Sequence, residues 1–179
     1  MSLVLLLGGA RSGKSALAVD MATQSRRDVV FVATAEAGDE EMRGRIARHQ
    51  AERPERWATV EAPRDLAGAL AKAAPGDCLV VDCLALWVAN LLEAGEAVAT
   101  IEALAATTVA AVAERSGPSI AVSNEVGLGV VPATPLGRKY RDLLGRVNAG
   151  WAEVADEAVL VVAGRVLPLA PPVGWFRWR

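Results

Sequence analysis

The octapeptide GGARSGKS, which runs Gly8, Gly9, Ala10, Arg11, Ser12, Gly13, Lys14, Ser15, fits the phosphate-cradle pattern G-x-x-x-x-G-K-[ST]. Its glycines let the backbone wrap closely around an anion, its N–H groups point inward, and the helix that follows adds a positive dipole end. Lys14 would reach the β and γ phosphates, and the Ser15 hydroxyl would ligate Mg²⁺. A strand-to-helix turn that binds nothing would not need Lys and then Ser after the last glycine. The apolar run Leu79-Val80-Val81 ends in Asp82, a carboxylate able to hold Mg²⁺ directly or through water. Together the two motifs predict a nucleoside triphosphate site.

A second cluster surrounds His49, the single histidine of the chain. Helical spacing puts Met42, Ile46, His49 and Arg53 along one face, with Arg45 and Arg53 four residues on either side of the imidazole. Cations so near would keep the ring neutral, as a nitrogen nucleophile must be, and would stabilise charge on a phosphoryl group under attack. The competing reading is a solvated Arg-rich helix carrying an incidental histidine, and these residues alone leave both open. One histidine does exclude a multi-His metal centre. Asn124 is followed by Glu125, so the N-K-x-D guanine reader of switch GTPases is absent. A small kinase is the activity that the length favours.

Apolar runs alternating with helical stretches are expected to position these residues. Strands are predicted at 3–7, 29–34, 78–82, 120–123 and 158–162, with a further short one at 57–61. Helices are predicted at 14–24, 39–52, 64–73, 84–93, 96–115 and 136–156, and the apolar 96–115 stretch is expected to pack on the sheet on more than one side. The alternation predicts an α/β fold, a single P-loop NTPase (RecA-like) domain over 1–169 with a mostly parallel central sheet and helices on both faces. Residues 170–179 form a tail, because Ala170-Pro171-Pro172 stops regular structure.

With 179 residues the chain can bury an aliphatic core without disulfides or metals. Cys78 and Cys83 read as reduced, buried small hydrophobes. A net charge of −2 argues against a nucleic-acid partner and for a small molecule. No basic segment precedes 3–7, and no run reaches about 18 uninterrupted apolar residues, which predicts a cytoplasmic protein without a membrane span.

Several blocks follow one another in a single order. GGARSGKS is followed by Ala33-Thr34-Ala35 at the end of the second strand, then by D-x-E-M-x-x-R-I-x-x-H from Asp39 to His49. H-x-x-x-R-P-x-x-W-x-T-x-E-x-P runs from His49 to Pro63, and VVDCLALWVANLL and VSNEVGLGVVP come after it. Over about residues 3 to 169 the chain resembles the bifunctional adenosylcobinamide kinase / adenosylcobinamide-phosphate guanylyltransferase family of cobalamin biosynthesis. The resemblance implies two reactions. In the first, ATP or GTP phosphorylates the aminopropanol hydroxyl of adenosylcobinamide. In the second, GTP passes its GMP to a histidine with loss of pyrophosphate, and that GMP moves to adenosylcobinamide phosphate.

By this match His49 corresponds to the guanylylated histidine. Gly8 to Ser15 bind nucleotide phosphates, while Ala33, Thr34, Ala35, Gln50, Ala51, Glu52, Arg53, Glu61 and Asp82 fall where the family contacts guanine nucleotide. Ser15 and Asp82 fall at the Mg²⁺ positions. A homo-oligomer, a trimer, is implied as well. Asn124 and Glu125 either face substrate or cap the next loop, and Arg138, Arg141 and Arg146 serve phosphate or a subunit contact. The tail, with Trp175, Phe176 and Trp178, departs from the family's short ending and either covers a subunit edge or is disordered. Two rivals remain: a kinase for another small alcohol in which His49 is structural, and a nucleotide-binding regulator.

Overall fold

Strands apolar on both faces are stable only inside a covered sheet, and the computed structural model builds one from them. The structure describes residues 3–171, and the side chains of Glu41 and Arg45 are outside the description. In chain order the elements are β1 (Leu3–Gly8), α1 (Lys14–Gln24), β2 (Val29–Ala33), α2 (Glu40–Ala51), β3 (Ala58–Glu61), α3 (Leu66–Leu70) and β4 (Cys78–Asp82). They continue as α4 (Leu84–Glu93), α5 (Val98–Ala113), β5 (Ser119–Val122), α6 (Pro135–Val154), β6 (Glu157–Val162) and β7 (Arg165–Pro168). The sheet order is β3-β2-β4-β5-β1-β6-β7. Pairings are parallel except β6–β7. This is the expected α/β architecture, a mostly parallel sheet flanked by helices.

Leu5, Leu6, Val32, Val80 and Ala121 are buried in the middle of the sheet, and Trp87 of α4 and Trp151 of α6 are the largest fully buried side chains. Both cysteines are unpaired and buried, and burial pushes the Cys83 thiol up to about 12. Among the described residues no helix is long and apolar enough to cross a membrane.

The structure corrects three expectations. The third helix covers only Leu66–Leu70 instead of 64–73, because Asp65 caps it by accepting from Gly68 N (2.9 Å) and the chain tightens into turns after Leu70. The fifth helix buries one face, through Ile101, Ala105, Thr108, Val109 and Val112, and packs on α3, α4 and α6. Its many alanines make it apolar by composition, yet alanine tolerates exposure; α4, with seven buried residues in ten, is the deeply enclosed helix. The seventh strand has no counterpart among the expected elements. It follows a two-residue turn in which Ala163 (φ 50°) and Gly164 (φ 73°) both have positive φ, as a tight hairpin requires. All four of its residues are exposed, so no alternating pattern marks it. Most of the tail, 172–179, lies outside the described residues.

Candidate functional site

The cradle joins β1 to α1. At Gly8 (φ 153°) a Cβ would stand 2.3 Å from the Val161 carbonyl oxygen and 2.9 Å from Ser12 Oγ, so no larger residue fits between β1 and β6. Arg11 (φ 55°) and Gly13 (φ 102°) adopt left-handed conformations. Such alternation turns successive N–H groups into one concavity, which here opens onto the start of α1. Gly164 N of the β6–β7 turn donates to Ser12 O (2.9 Å), bracing the loop from outside. Lys14 is buried, and its Nζ donates to Gly8 O (2.8 Å), Gly9 O (2.6 Å) and Ser12 Oγ (3.3 Å). An ammonium has three donors, so phosphate must exchange with these loop oxygens to engage it.

Register at the carboxyl edge of the sheet sets the second group. Ala33 pairs with Glu61 on one side and Asp82 on the other, so the two acidic residues flank it across neighbouring strands. With strands about 4.8 Å apart, their Cα atoms stand roughly 10 Å from each other. Ser15, at the end of the cradle, and Asp82, at the end of β4, line the same cavity. Burial pushes the Asp82 carboxyl up from the ordinary carboxylate range, while the Ser15 hydroxyl and the nearby His49, Arg53 and Lys14 pull it back.

The third group comes from α2. Asp39 caps this helix, accepting from Met42 N (2.7 Å) after the turn at Gly38. Among its described side chains none is buried, and Met42, Ile46, His49 and Gln50 line one cavity of about 280 Å³ with Ser15, Phe31, Ala33, Ala35, Arg53, Glu61 and Asp82. Arg53 ends the segment. Its Nε donates to His49 O (2.8 Å), an Nη donates to Thr59 Oγ1 (3.3 Å), and the guanidinium lies 3.9 Å from the centroid of the Phe31 ring. Burial lowers its pKa, opposed by Asp82 and Glu52, but an arginine stays charged over that range. His49, Arg53 and Asp82 thus share one wall and one field. The expected proximity of Arg45 to His49 falls on a side chain outside the described residues.

Buried polar groups from α4 hold the loops around this cavity. Thr34 is fully buried; its Oγ1 donates to Cys83 O (2.7 Å) and accepts from Cys83 N (2.7 Å). Asn90 Nδ2 donates to Thr34 O (2.7 Å) and Pro63 O (3.0 Å), tying the ends of β2 and β3 to one helix. Trp87 Nε1 donates to Arg64 O (2.8 Å), and Arg64 pairs with Glu36 (2.8 Å) across the mouth. Asn90→Ala leaves two carbonyls without that donor. We expect a stability loss of about 1–3 kcal/mol in denaturant unfolding, with a raised KM for nucleotide.

Of the residues singled out from sequence, Ser15, Ala33, Ala35, His49, Gln50, Arg53, Glu61 and Asp82 meet at the cavity, and Gly8 to Lys14 form the cradle beside it. Thr34 turns away from it to brace Cys83, and Ala51 and Glu52 are exposed at the end of α2, outside its lining. Glu125 Oε1 accepts from Gly127 N (2.6 Å), so this carboxylate is engaged in its own loop. Arg138 donates to Pro132 O and Ala133 O, Arg141 pairs with Asp142, and Arg146 pairs with Glu102. Sequence reasoning misses Phe31 and Asn90. The signal for Asn90 is one amide inside the otherwise apolar LALWVANLLE; Phe31 leaves none within its apolar strand.

The sequence profile of the family described as cobinamide kinase / cobinamide phosphate guanyltransferase matches residues 4–169. The bifunctional adenosylcobalamin biosynthesis protein CobP of Pseudomonas aeruginosa is 46% identical over 173 residues, covering 92% of this chain and 95% of that protein. The bifunctional adenosylcobalamin biosynthesis protein CobU of Salmonella typhimurium is 37% identical over 175 residues, covering 90% and 96%. Among solved structures, a prototypical ATPase from the type III secretion system of pathogenic bacteria aligns with a TM-score of 0.57 at 14% identity, over 89% of this chain. The chain spans 51% of that ATPase, and the likeness is one of fold alone.

Proposed function

Since the chain belongs to the cobinamide kinase / cobinamide phosphate guanyltransferase family, we propose that its single nucleotide site serves two transfers in succession. In the first, the acceptor hydroxyl of adenosylcobinamide attacks the γ phosphorus of ATP or GTP. A P–O bond forms, the bond to the β-phosphate oxygen breaks, and the hydroxyl proton is released with the nucleoside diphosphate. In the second, a His49 ring nitrogen attacks the α phosphorus of GTP and expels pyrophosphate, leaving GMP as a phosphoramidate. A phosphate oxygen of adenosylcobinamide phosphate then attacks that phosphorus, the N–P bond breaks, and adenosylcobinamide-GDP leaves with the imidazole restored.

The observation that carries this reading is that His49, Arg53, Asp82 and Ser15 line one cavity beside the Gly8–Ser15 cradle. Lys14 and the cradle amides stabilise charge on the β and γ phosphates, as the γ group is transferred from the β oxygen in the first reaction and as both leave as pyrophosphate in the second. Arg53 steadies the backbone at His49 and supplies positive charge near the phosphorus under attack. Glu61, at the end of β3, is placed to accept from the guanine edge or the ribose. Thr34 serves by bracing Cys83 beside the cavity, and Ala51 and Glu52 stand next to Gln50 at the end of α2, where guanine nucleotide would pass. Because no described side chain of α2 is buried, the helix can swing about Gly38 between the two reactions with little loss of burial.

Ser15 and Asp82 suit Mg²⁺, which favours oxygen ligands and takes one or two from protein, with water and phosphate filling the rest. Among the described residues no cluster of three or more His, Cys, Asp or Glu forms a closed metal cage. Bound there, Mg²⁺ would neutralise phosphate charge. All of these residues fall within 1–169. The implied homo-oligomer, a trimer in this reading, is supported by the exposed Val166 and Leu167 on the edge strand β7.

The test supplies adenosylcobinamide, GTP and Mg²⁺ and follows products by chromatography. Adenosylcobinamide phosphate should appear first and adenosylcobinamide-GDP second, with pyrophosphate equal to the latter. Phosphate transfer without any GDP adduct would reduce the protein to a kinase, and nucleotide binding without turnover would make it a regulator.

A further inference from the structure

The loop that leaves β5, from Asn124 to Ala133, lies at the same carboxyl edge of the sheet as the cradle. Glu125 N donates to Gly8 O (3.0 Å), so the loop begins on the first residue of the cradle. Its near end is pinned by Asn148 Nδ2 donating to Asn124 O (3.0 Å) and by the Glu125–Gly127 bond. Its far end is pinned by Arg138, which donates to Pro132 O (3.0 Å) and Ala133 O (2.8 Å). Between these anchors the chain presents Leu128, Val130 and Val131 at 82%, 96% and 60% exposure. Three large aliphatic side chains held out on an anchored loop mark a surface that something covers.

We infer that this loop is the platform for the corrinoid ring of the acceptor. The inference rests on the function proposed above. The cavity that His49 shares with Asp82 measures about 280 Å³, at or below the roughly 300–1,000 Å³ of pockets for drug-sized ligands. A nucleotide fills such a space, and a corrinoid, a macrocycle far larger than a nucleotide, cannot enter with it. With α2 placed as the cavity wall, the ring therefore rests outside while its aminopropanol arm reaches in. The surface it rests on must adjoin the cradle and suit a ring edged with methyl groups and amide arms. The Asn124–Ala133 loop satisfies both conditions: it is bonded to Gly8, and it offers aliphatic side chains beside Gly129, around which there is open space. An apolar hollow of about 330 Å³ between α4 and α6 starts where the loop ends, lined by Thr134, Leu136, Ala89 and Tyr140, and extends the platform.

The test uses the full chain carrying Leu128→Ser, Val130→Ser and Val131→Ser together, compared with wild type and with the apolar variant Leu128→Met, Val130→Ile. Adenosylcobinamide, which is coloured, is followed by equilibrium dialysis and by KM. The serine variant should bind it about tenfold or more weakly. KM for GTP and the uptake of α-phosphate label should stay within about twofold, and the apolar variant should behave as wild type. Unchanged corrinoid affinity in the serine variant overturns the assignment, and so does a parallel rise in the KM for GTP. A changed mass in sedimentation would make the face a contact between copies and also overturn it. If wild-type protein neither binds nor turns over adenosylcobinamide, the parent function fails and the platform with it. Failure confined to the serine variant's affinity sinks the platform alone.

Discussion

His49→Ala protein incubated with Mg²⁺ and GTP labelled at the α phosphate should carry no acid-labile, base-stable label, whereas wild-type protein accumulates it. Loss of a covalent nucleophile acts on the scale of at least about 10⁴-fold, so the expected signal is background. Phosphorylation of adenosylcobinamide by the same variant should remain within a few fold, because the γ phosphate meets the cradle and not the imidazole. The asymmetry follows from placement. His49 comes from α2, a helix with no buried described side chain, and Lys14 from the first turn of α1 against the core strands. No second imidazole exists in the chain to take over. A structural histidine would give the opposite pattern, with both activities falling together as the protein loosens.

Lys14→Ala should depress both activities, each by about 10²–10³-fold, the range seen when a single charge-stabilising donor is removed from a transfer site. Steady-state rates of phosphorylation and of GDP-adduct formation, measured on one preparation, check this. The ammonium is held by Gly8 O, Gly9 O and Ser12 Oγ and Lys14 as a whole is 6% exposed, so truncation also removes a brace from the loop itself. Wild-type thermal stability with both rates depressed would assign the effect to phosphate binding. A loss confined to one reaction would mean that the two transfers do not share a cradle.

Much of this site is legible in the amino-acid sequence. The cradle carries its own signature because glycine, lysine and serine are each needed at a stated offset. The bounds of β4, α1 and α4 can be read directly, since a run apolar throughout or a strong helical period leaves few alternatives. Strand register cannot be read. That Glu61, Ala33 and Asp82 stand in line depends on β2 pairing with both β3 and β4, and no local pattern encodes a partner some 25 to 50 positions away. Nor can the division of labour within Ala33-Thr34-Ala35. Two alanines line the cavity while the hydroxyl between them turns inward to Cys83, as alternation along an extended segment requires. The stacking of Arg53 on Phe31 is hidden for a related reason. An arginine near a histidine in sequence suggests electrostatics, and the aromatic it lies on belongs to another element. The hairpin that braces Ser12 stays invisible because an exposed edge strand shows no alternation.

Peptide mapping by mass spectrometry after incubation with GTP and Mg²⁺, under alkaline work-up to preserve phosphoramidates, tests the central claim most directly. The account predicts a single GMP on the peptide that contains His49 and none elsewhere, with the adduct discharged when adenosylcobinamide phosphate is added. An intact chain that gains no GMP, or one that carries it on Lys14 or another residue, would contradict it.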